Sequence, residues 1–282
     1  MVRRSYFSTG DAIVFCGWSS RFPFQEASAE AEDSPTPMGF AVGLKLMIRR
    51  SDSSFVSQEH PMTTVKGSAK TGKVKKRNFS SFTKKEAFKQ LAIENLLSWT
   101  LTAEAHPVSA FFQERLLRLK RHFDLETCEE SKKLLIDAVC EEALEGFDRL
   151  KVWKGANLQS DTTIGIADYL VAERKGYLEA PFLCIIEAKK DDFEQGVAQC
   201  LVEMQACQWE NQQVNANVET QKLAPKLEIL GIVTNGSTWQ FYRLTPQGEA
   251  YETSAFSIGD LEMLLGRLRF IFQRCENNLA EL

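Results

Sequence analysis

Histidine is nearly missing from this sequence: His60, His106 and His122 are the only three, and no H-E-x-x-H spacing joins them. A zinc hydrolase is therefore a poor reading, because that chemistry needs two imidazoles one helical turn apart. Paired cysteines are missing too. The seven thiols, Cys16, Cys128, Cys140, Cys184, Cys200, Cys207 and Cys275, are odd in number, scattered and without a C-x-x-C. That is the pattern of reduced, buried, intracellular cysteines, and it makes the cytoplasm the expected location. No apolar run is long enough to suggest a membrane partner. MGFAVGLKLMI, from Met38, is too short to span a bilayer and carries Lys45. At the N-terminus the apolar patch of MVRRSYFSTGDAIVFCGW is brief, is interrupted by Asp11 and leads to no clear small-residue cleavage pattern, so it is not read as a signal peptide. An excess of one charge is also lacking. The formal net charge is -4 and the pI about 5.6, so any contact with nucleic acid has to be local.

What is present can bury a sizeable core: 282 residues, 44% hydrophobic and 26% charged. Residues 1–61 show short apolar pieces, the segment SAEAEDSPTP and no sustained period of 2 or 3.6, which predicts a poorly ordered N-terminal extension. Met62 is a candidate for the natural translation start, and 62–282 reads as a single domain. The stretch 66–85, KGSAKTGKVKKRNFSSFTKK, carries eight basic residues and no acidic one, a local positive arm suited either to a nucleic-acid contact or to a solvated tail. Within it GSAKTGKV nearly matches the phosphate-binding loop G-x-x-x-x-G-K-[ST]. Val74 stands where a hydroxyl must hold Mg²⁺, and no buried strand leads in, so nucleotide binding is rejected.

Beyond Thr83, a plausible N-cap, KKEAFKQLAIENLLSW places Phe88, Leu91, Ile93, Leu96 and Leu97 near one face of a helix. Further helices are expected over 108–123 and 129–149. The period then changes: strands are expected over 162–173 and 181–189, and a helix over 192–211 capped by Asp191 or Asp192. Two more strands are joined at Asn235-Gly236, and an amphipathic helix over 258–278 closes the chain. The pattern is α/β with a mixed sheet flanked by helices.

The strand 181–189 ends in charge. Side chains alternate along a strand, so Glu187 and Lys189 share one face, expected to include Leu183 and Ile185, while Ala188 points the other way. In the preceding strand Asp168 falls in a row with Ile164, Ile166 and Leu170. An acid in an apolar row costs free energy unless a partner or metal balances it. Two carboxylates converging at strand ends make a hard-oxygen site for Mg²⁺ or Mn²⁺. A lysine beside them can position or help deprotonate a water for attack on phosphorus. The tripeptide E-x-K alone carries little weight, since Glu130-Ser131-Lys132 repeats it on a helix. The apolar strand before it, the out-of-place Asp and the glutamine-rich helix after it add the weight.

At G-I-A-D-Y (165–169), I-I-E-A-K (185–189), the glutamine helix and I-V-T-N-G-S-T-W-Q-F-Y (232–242), the chain resembles the PD-(D/E)xK nuclease superfamily. It is most similar to domains like the N-terminal nuclease part of type I restriction subunits, over about 129–244. The resemblance implies a restriction-endonuclease-like fold, with Asp168 and Glu187 as metal carboxylates, the Ala188 carbonyl as a further ligand and Lys189 as the catalytic lysine. It also implies a supporting glutamine, Gln199, with Gln195 one turn earlier, and an acid on the preceding helix. Glu130 suits that place best, with Glu129, Glu141 and Glu142 as rivals. Departures are Ala167 where a proline is common and Glu203 where related families often carry an aromatic. The expected function is metal-dependent hydrolysis of phosphodiester bonds, in DNA ahead of RNA, with nucleic acid as the partner and a homodimer left open. The competing readings are a silent nuclease-fold module that binds nucleic acid or assembles with partners, and a purely structural partner protein.

Overall fold

The computed structural model describes residues 75–216 and 227–282. The expected boundary at 61, Met62, the rejected phosphate loop and the first part of the basic arm lie outside the described residues. Within them, one mixed sheet of nine strands carries helices on both faces, an α/β architecture. In chain order the elements are β1 (Arg77–Asn78), a 3-10 turn (Phe79–Ser81), α1 (Lys84–Leu91), β2 (Leu97–Ser98), α2 (Ala110–His122) and α3 (Glu129–Leu144). Then follow β3 (Leu150–Gln159), β4 (Thr163–Glu173), β5 (Phe182–Ala188), α4 (Phe193–Ala216), β6 (Ile229–Thr234), β7 (Thr238–Leu244), β8 (Ala250–Glu252), β9 (Phe256–Ser257) and α5 (Leu261–Ala280).

The strands β3, β4 and β5 form an antiparallel meander, β5 pairs with β6 in parallel, and β7 returns antiparallel to β6. A parallel pair cannot be closed by a tight turn, so the long helix α4 carries the chain from β5 to β6. It packs with α1 over one face, in a core that includes Val197, Leu201, Met204, Leu170, Ile185 and Val233. The other face is covered by α2, α3 and α5, around Phe112, Ile136, Val139, Val171, Ile186, Trp239 and Leu268. At its lateral centre β5 is buried at every residue from Phe182 to Ala188, which is why it reads as an unbroken apolar run.

Local signals act where they are written. Thr83 caps α1 in a reciprocal capping box with Glu86, whose carboxylate accepts the Thr83 amide at 2.9 Å. Asp192, rather than Asp191, caps α4: its Oδ1 accepts the Gln195 amide at 2.9 Å. Asn235 holds the turn between β6 and β7 by accepting the amides of Ser237 and Thr238.

Two helices are shorter than their apolar spacing predicts. The first stops at Leu91, where Ala92 takes left-handed backbone (φ 56°). Ile93 and Leu96 still pack beside that core, from chain that is no longer helical. Helix α3 stops at Leu144 rather than 149, and Gly146, at φ 86°, turns the chain into β3. That strand is not expected from the sequence. Leu150, Ala156 and Leu158 are buried, but 151–155 are half-buried or exposed, so LKVWKGANLQ shows neither steady alternation throughout nor an apolar run.

Candidate functional site

The strand β5 brings its charged end to the edge of a dry core. Its first residue is pinned by Asn211 of α4, whose side chain accepts from the Phe182 amide at 2.7 Å and donates to the Phe182 carbonyl at 2.8 Å. Leu183 does not share a face with Ile185 as alternation predicts. Val171 pairs with Cys184 and Ala172 with Phe182, a bulge that leaves Leu183 extra and turns it to the α3 and α5 side. Downstream of the bulge alternation is regular: Ile185 faces α4, while Ile186 and Ala188 face α3 and α5.

The apolar row expected around Asp168 is not formed. Ile164 and Ile166 are 45% and 60% exposed, and Ala167 and Tyr169 pack in opposite cores although alternation would put them together. The break falls at Asp168. Its carboxylate turns across the sheet: Oδ2 accepts the Ala188 amide at 3.0 Å and Oδ1 meets Lys133 Nζ of α3, also at 3.0 Å. Asp168 is thus fixed to the residue that follows Glu187.

Glu187 is fully buried. Lys189 Nζ lies 2.6 Å from its Oε1, an ion pair without hydrogen-bond angles, and neither carboxylate oxygen has a hydrogen bond among the described residues. Burial and then the Asp168 charge raise the Glu187 carboxyl to about 8, against the pull of Lys189. For Lys189 burial is the largest influence and pulls the ammonium down, but Glu187, Glu129 and Asp168 together outweigh it and the net shift is upward, so it stays protonated. The aliphatic stem of Lys189 runs against Gly196 in the first turn of α4. A Cβ there would lie 2.8 Å from Lys189 Cγ and 2.9 Å from Val233 Cγ1.

A second line of contacts orients the lysine from α4. Lys189 Nζ donates to Gln199 Oε1 at 3.2 Å, and Gln199 Nε2 donates to Glu203 Oε1 at 3.0 Å. Glu203 is buried, its Oε2 lacks a hydrogen bond among the described residues, and burial followed by the Glu187 charge pushes its carboxyl far up. Burial therefore favours its neutral form. Gln195, one turn before Gln199, turns away and donates to the Ser80 carbonyl at 2.9 Å.

The structure sorts the candidate acids of α3. Glu130 is 81% exposed and meets the site only through Lys133, at 2.9 Å. Glu129 also holds Lys133, at 3.3 Å, and its charge reaches both Glu187 and Lys189. Glu141 pairs with Arg115, and Glu142 accepts from the Ser109 amide and hydroxyl at the start of α2, so both serve helix packing. Lys133 is a site residue that sequence reading missed. Its spacing from Glu129 and Glu130 signals helical ion pairs, but nothing in the sequence signals its reach to Asp168, 35 residues away.

Asp168, Glu187 and the Ala188 carbonyl are hard oxygen donors. Together with the unpartnered Glu187 Oε2, they fit Mg²⁺ or Mn²⁺ that keeps several waters. A fuller cage is absent: among the described residues no group of three or more His, Cys, Asp or Glu is arranged to hold a metal ion. No helix among them is long and apolar enough to cross a membrane, and all six of their cysteines are free thiols. No family model matches the chain, and no curated protein matches it.

Proposed function

We propose that the protein is a metal-dependent nuclease of the PD-(D/E)xK type, with a restriction-endonuclease-like core running from α3 to β6 and DNA as the preferred substrate. The observation that carries this reading is the fully buried Glu187 beside Lys189, with Asp168 tied to the intervening Ala188. Ionising a fully buried acid without hydrogen bonds costs several kcal/mol, only part of which the Lys189 ion pair returns, and a bound cation would return more. Asp168, Glu187 and the Ala188 carbonyl would hold Mg²⁺ or Mn²⁺. Such a cation, when bound, supplies Lewis acidity at a phosphoryl oxygen and acidifies a water.

The chain's own groups do the rest. Lys189, whose ammonium the surrounding acids hold above its ordinary value, is a charge stabiliser and water-orienting donor rather than a base. Gln199 fixes the direction of its Nζ. Asp168 and Glu187 keep their spacing because the Ala188 amide holds the first and strand β5 the second. The cytoplasm is the location this reading takes, and the free thiols support it.

The test is cleavage of supercoiled, linear, branched and single-stranded DNA, and of RNA, with Mg²⁺ or Mn²⁺ against chelator. Cleavage that depends on the cation and is lost in Asp168→Asn and Glu187→Gln supports the reading; no hydrolysis on any substrate overturns it. The Lys133 to Asp168 ion pair favours a second reading, because it balances one carboxylate without any metal ion. On that reading the fold binds nucleic acid without turnover, and binding survives substitution of Asp168, Glu187 and Lys189.

A further inference from the structure

We propose that Lys133 is a displaceable counter-ion: it holds Asp168 Oδ1 until a divalent cation takes that oxygen, and then falls back on Glu129 and Glu130. The inference rests on the reading of Asp168 as a metal carboxylate.

One ammonium faces three carboxylates. Lys133 Nζ is 3.0 Å from Asp168, 2.9 Å from Glu130 and 3.3 Å from Glu129. Three and four residues separate it from the two helical acids, the spacings that bring side chains together on one helix face, so it can change partners by side-chain rotation alone. Of the two destinations Glu130 is in water, 81% exposed, and Glu129 is partly so at 39%, whereas Lys133 itself is only 14% exposed where it now sits. Asp168 can also let go without moving, since the Ala188 amide holds its other oxygen. An ammonium and a divalent cation on the same oxygen repel in a partly dry site, which favours release of Lys133 from Oδ1. Nearby lysines do not compete for Asp168. Lys132 donates to the Lys190 carbonyl at 3.0 Å and Lys154 pairs with Asp137 at 2.7 Å. This arrangement gives a role to the acids at the start of α3: they receive the displaced charge.

Two measurements test it, neither of them activity. In the wild-type chain, the acetylation rate of each lysine by an amine-reactive ester is read by mass spectrometry. Lys133 should become more reactive when Mg²⁺ is added, while Lys154, outside the site, stays constant. In Lys133→Met the apparent Kd for Mn²⁺, read by calorimetry, should tighten on the order of fivefold, the equivalent of about 1 kcal/mol of ion pairing that no longer has to be broken. Lys132→Met should tighten it much less, because its charge is nearby but not on Asp168. Unchanged Lys133 reactivity overturns the inference, as does equal tightening in both variants or no Mn²⁺ binding in either protein. The labelling measurement decides the matter if Lys133→Met does not fold. Displacement of Lys133 without DNA cleavage would keep this inference and remove the nuclease, and cleavage with an unmoved Lys133 would do the reverse.

Discussion

Asp168 Oδ2 accepts the backbone amide of Ala188 at 3.0 Å, so a carboxylate twenty residues earlier in the chain is locked to the residue beside Glu187. That single bond spans two antiparallel strands and sets two acids next to each other at the end of a buried strand. The cost appears at Glu187, where burial and the Asp168 charge together oppose ionisation. The site therefore stores unfavourable electrostatics, which a bound cation would relieve.

Lys189→Met should abolish metal-dependent cleavage, by about 10² to 10³ in rate, as expected when a preorganised charge is removed from the reacting centre. The change also removes the cation beside Glu187, so its carboxyl should rise further and metal binding should require a higher pH. Single-turnover cleavage and Mn²⁺ titrations at pH 7 and pH 9 check both parts. Undiminished cleavage would show that Lys189 is structural.

A raised Glu187 carboxyl makes stability fall with pH. The folded chain keeps a proton that the unfolded chain loses between the ordinary value of 4.5 and about 8. The folded state thus binds more protons across that window, and the cost is complete above pH 8. Without added cation, Glu187→Gln should gain on the wild type as pH rises from 5 to 8, by up to a few kcal/mol, and the gap should then level off. Denaturant melts across this range measure it, and a gap that does not change with pH would show that Glu187 is already ionised in the folded chain. Metal affinity in the wild type should rise over the same window, since the cation must displace that proton.

Glu203→Gln should leave the fold little changed at pH 7, because burial and the Glu187 charge both favour the neutral form of the native carboxyl. A glutamine carbonyl can accept from Gln199 as Glu203 Oε1 does, so the direction of Gln199 and of Lys189 should also survive. At alkaline pH the variant should melt higher than the wild type, which must then ionise a buried acid or unfold. A large drop in Tm at pH 7 would mean that the native group is charged and paired.

Gly196→Ala should act on the lysine more than on the fold. The added methyl would press on the stem of Lys189 and on Val233, and cores lose about 1–3 kcal/mol to such overpacking. Because Lys189 lies in the contact, cleavage should fall more than the change in Tm accounts for. Equal losses in both would show that Val233 alone bears the strain.

Much of this fold is legible in the sequence where local chemistry and packing agree. Strand β5 is an apolar run bounded by charge and is buried throughout. Thr83 and Asp192 cap the helices they precede, and Asn235-Gly236 turns one strand into the next. Glu187 and Lys189 meet because a strand's period of two puts them on one face, and Gln199 and Glu203 meet because they are one helical turn apart. Long-range relationships are a different matter. Leu183 faces away from Ile185 because a bulge changes the pairing of β4 with β5, Ile164 and Ile166 stay in solvent, and β3 has too mixed a pattern to be seen. Lys133 reaches Asp168, and Asp168 reaches Ala188, only once a helix and two strands have been packed together. Hydrophobic period and capping are properties of neighbours in sequence. The protonation of Glu187 and the partner of Asp168 depend on burial and on charges brought from far along the chain, and these exist only after the chain has closed around them.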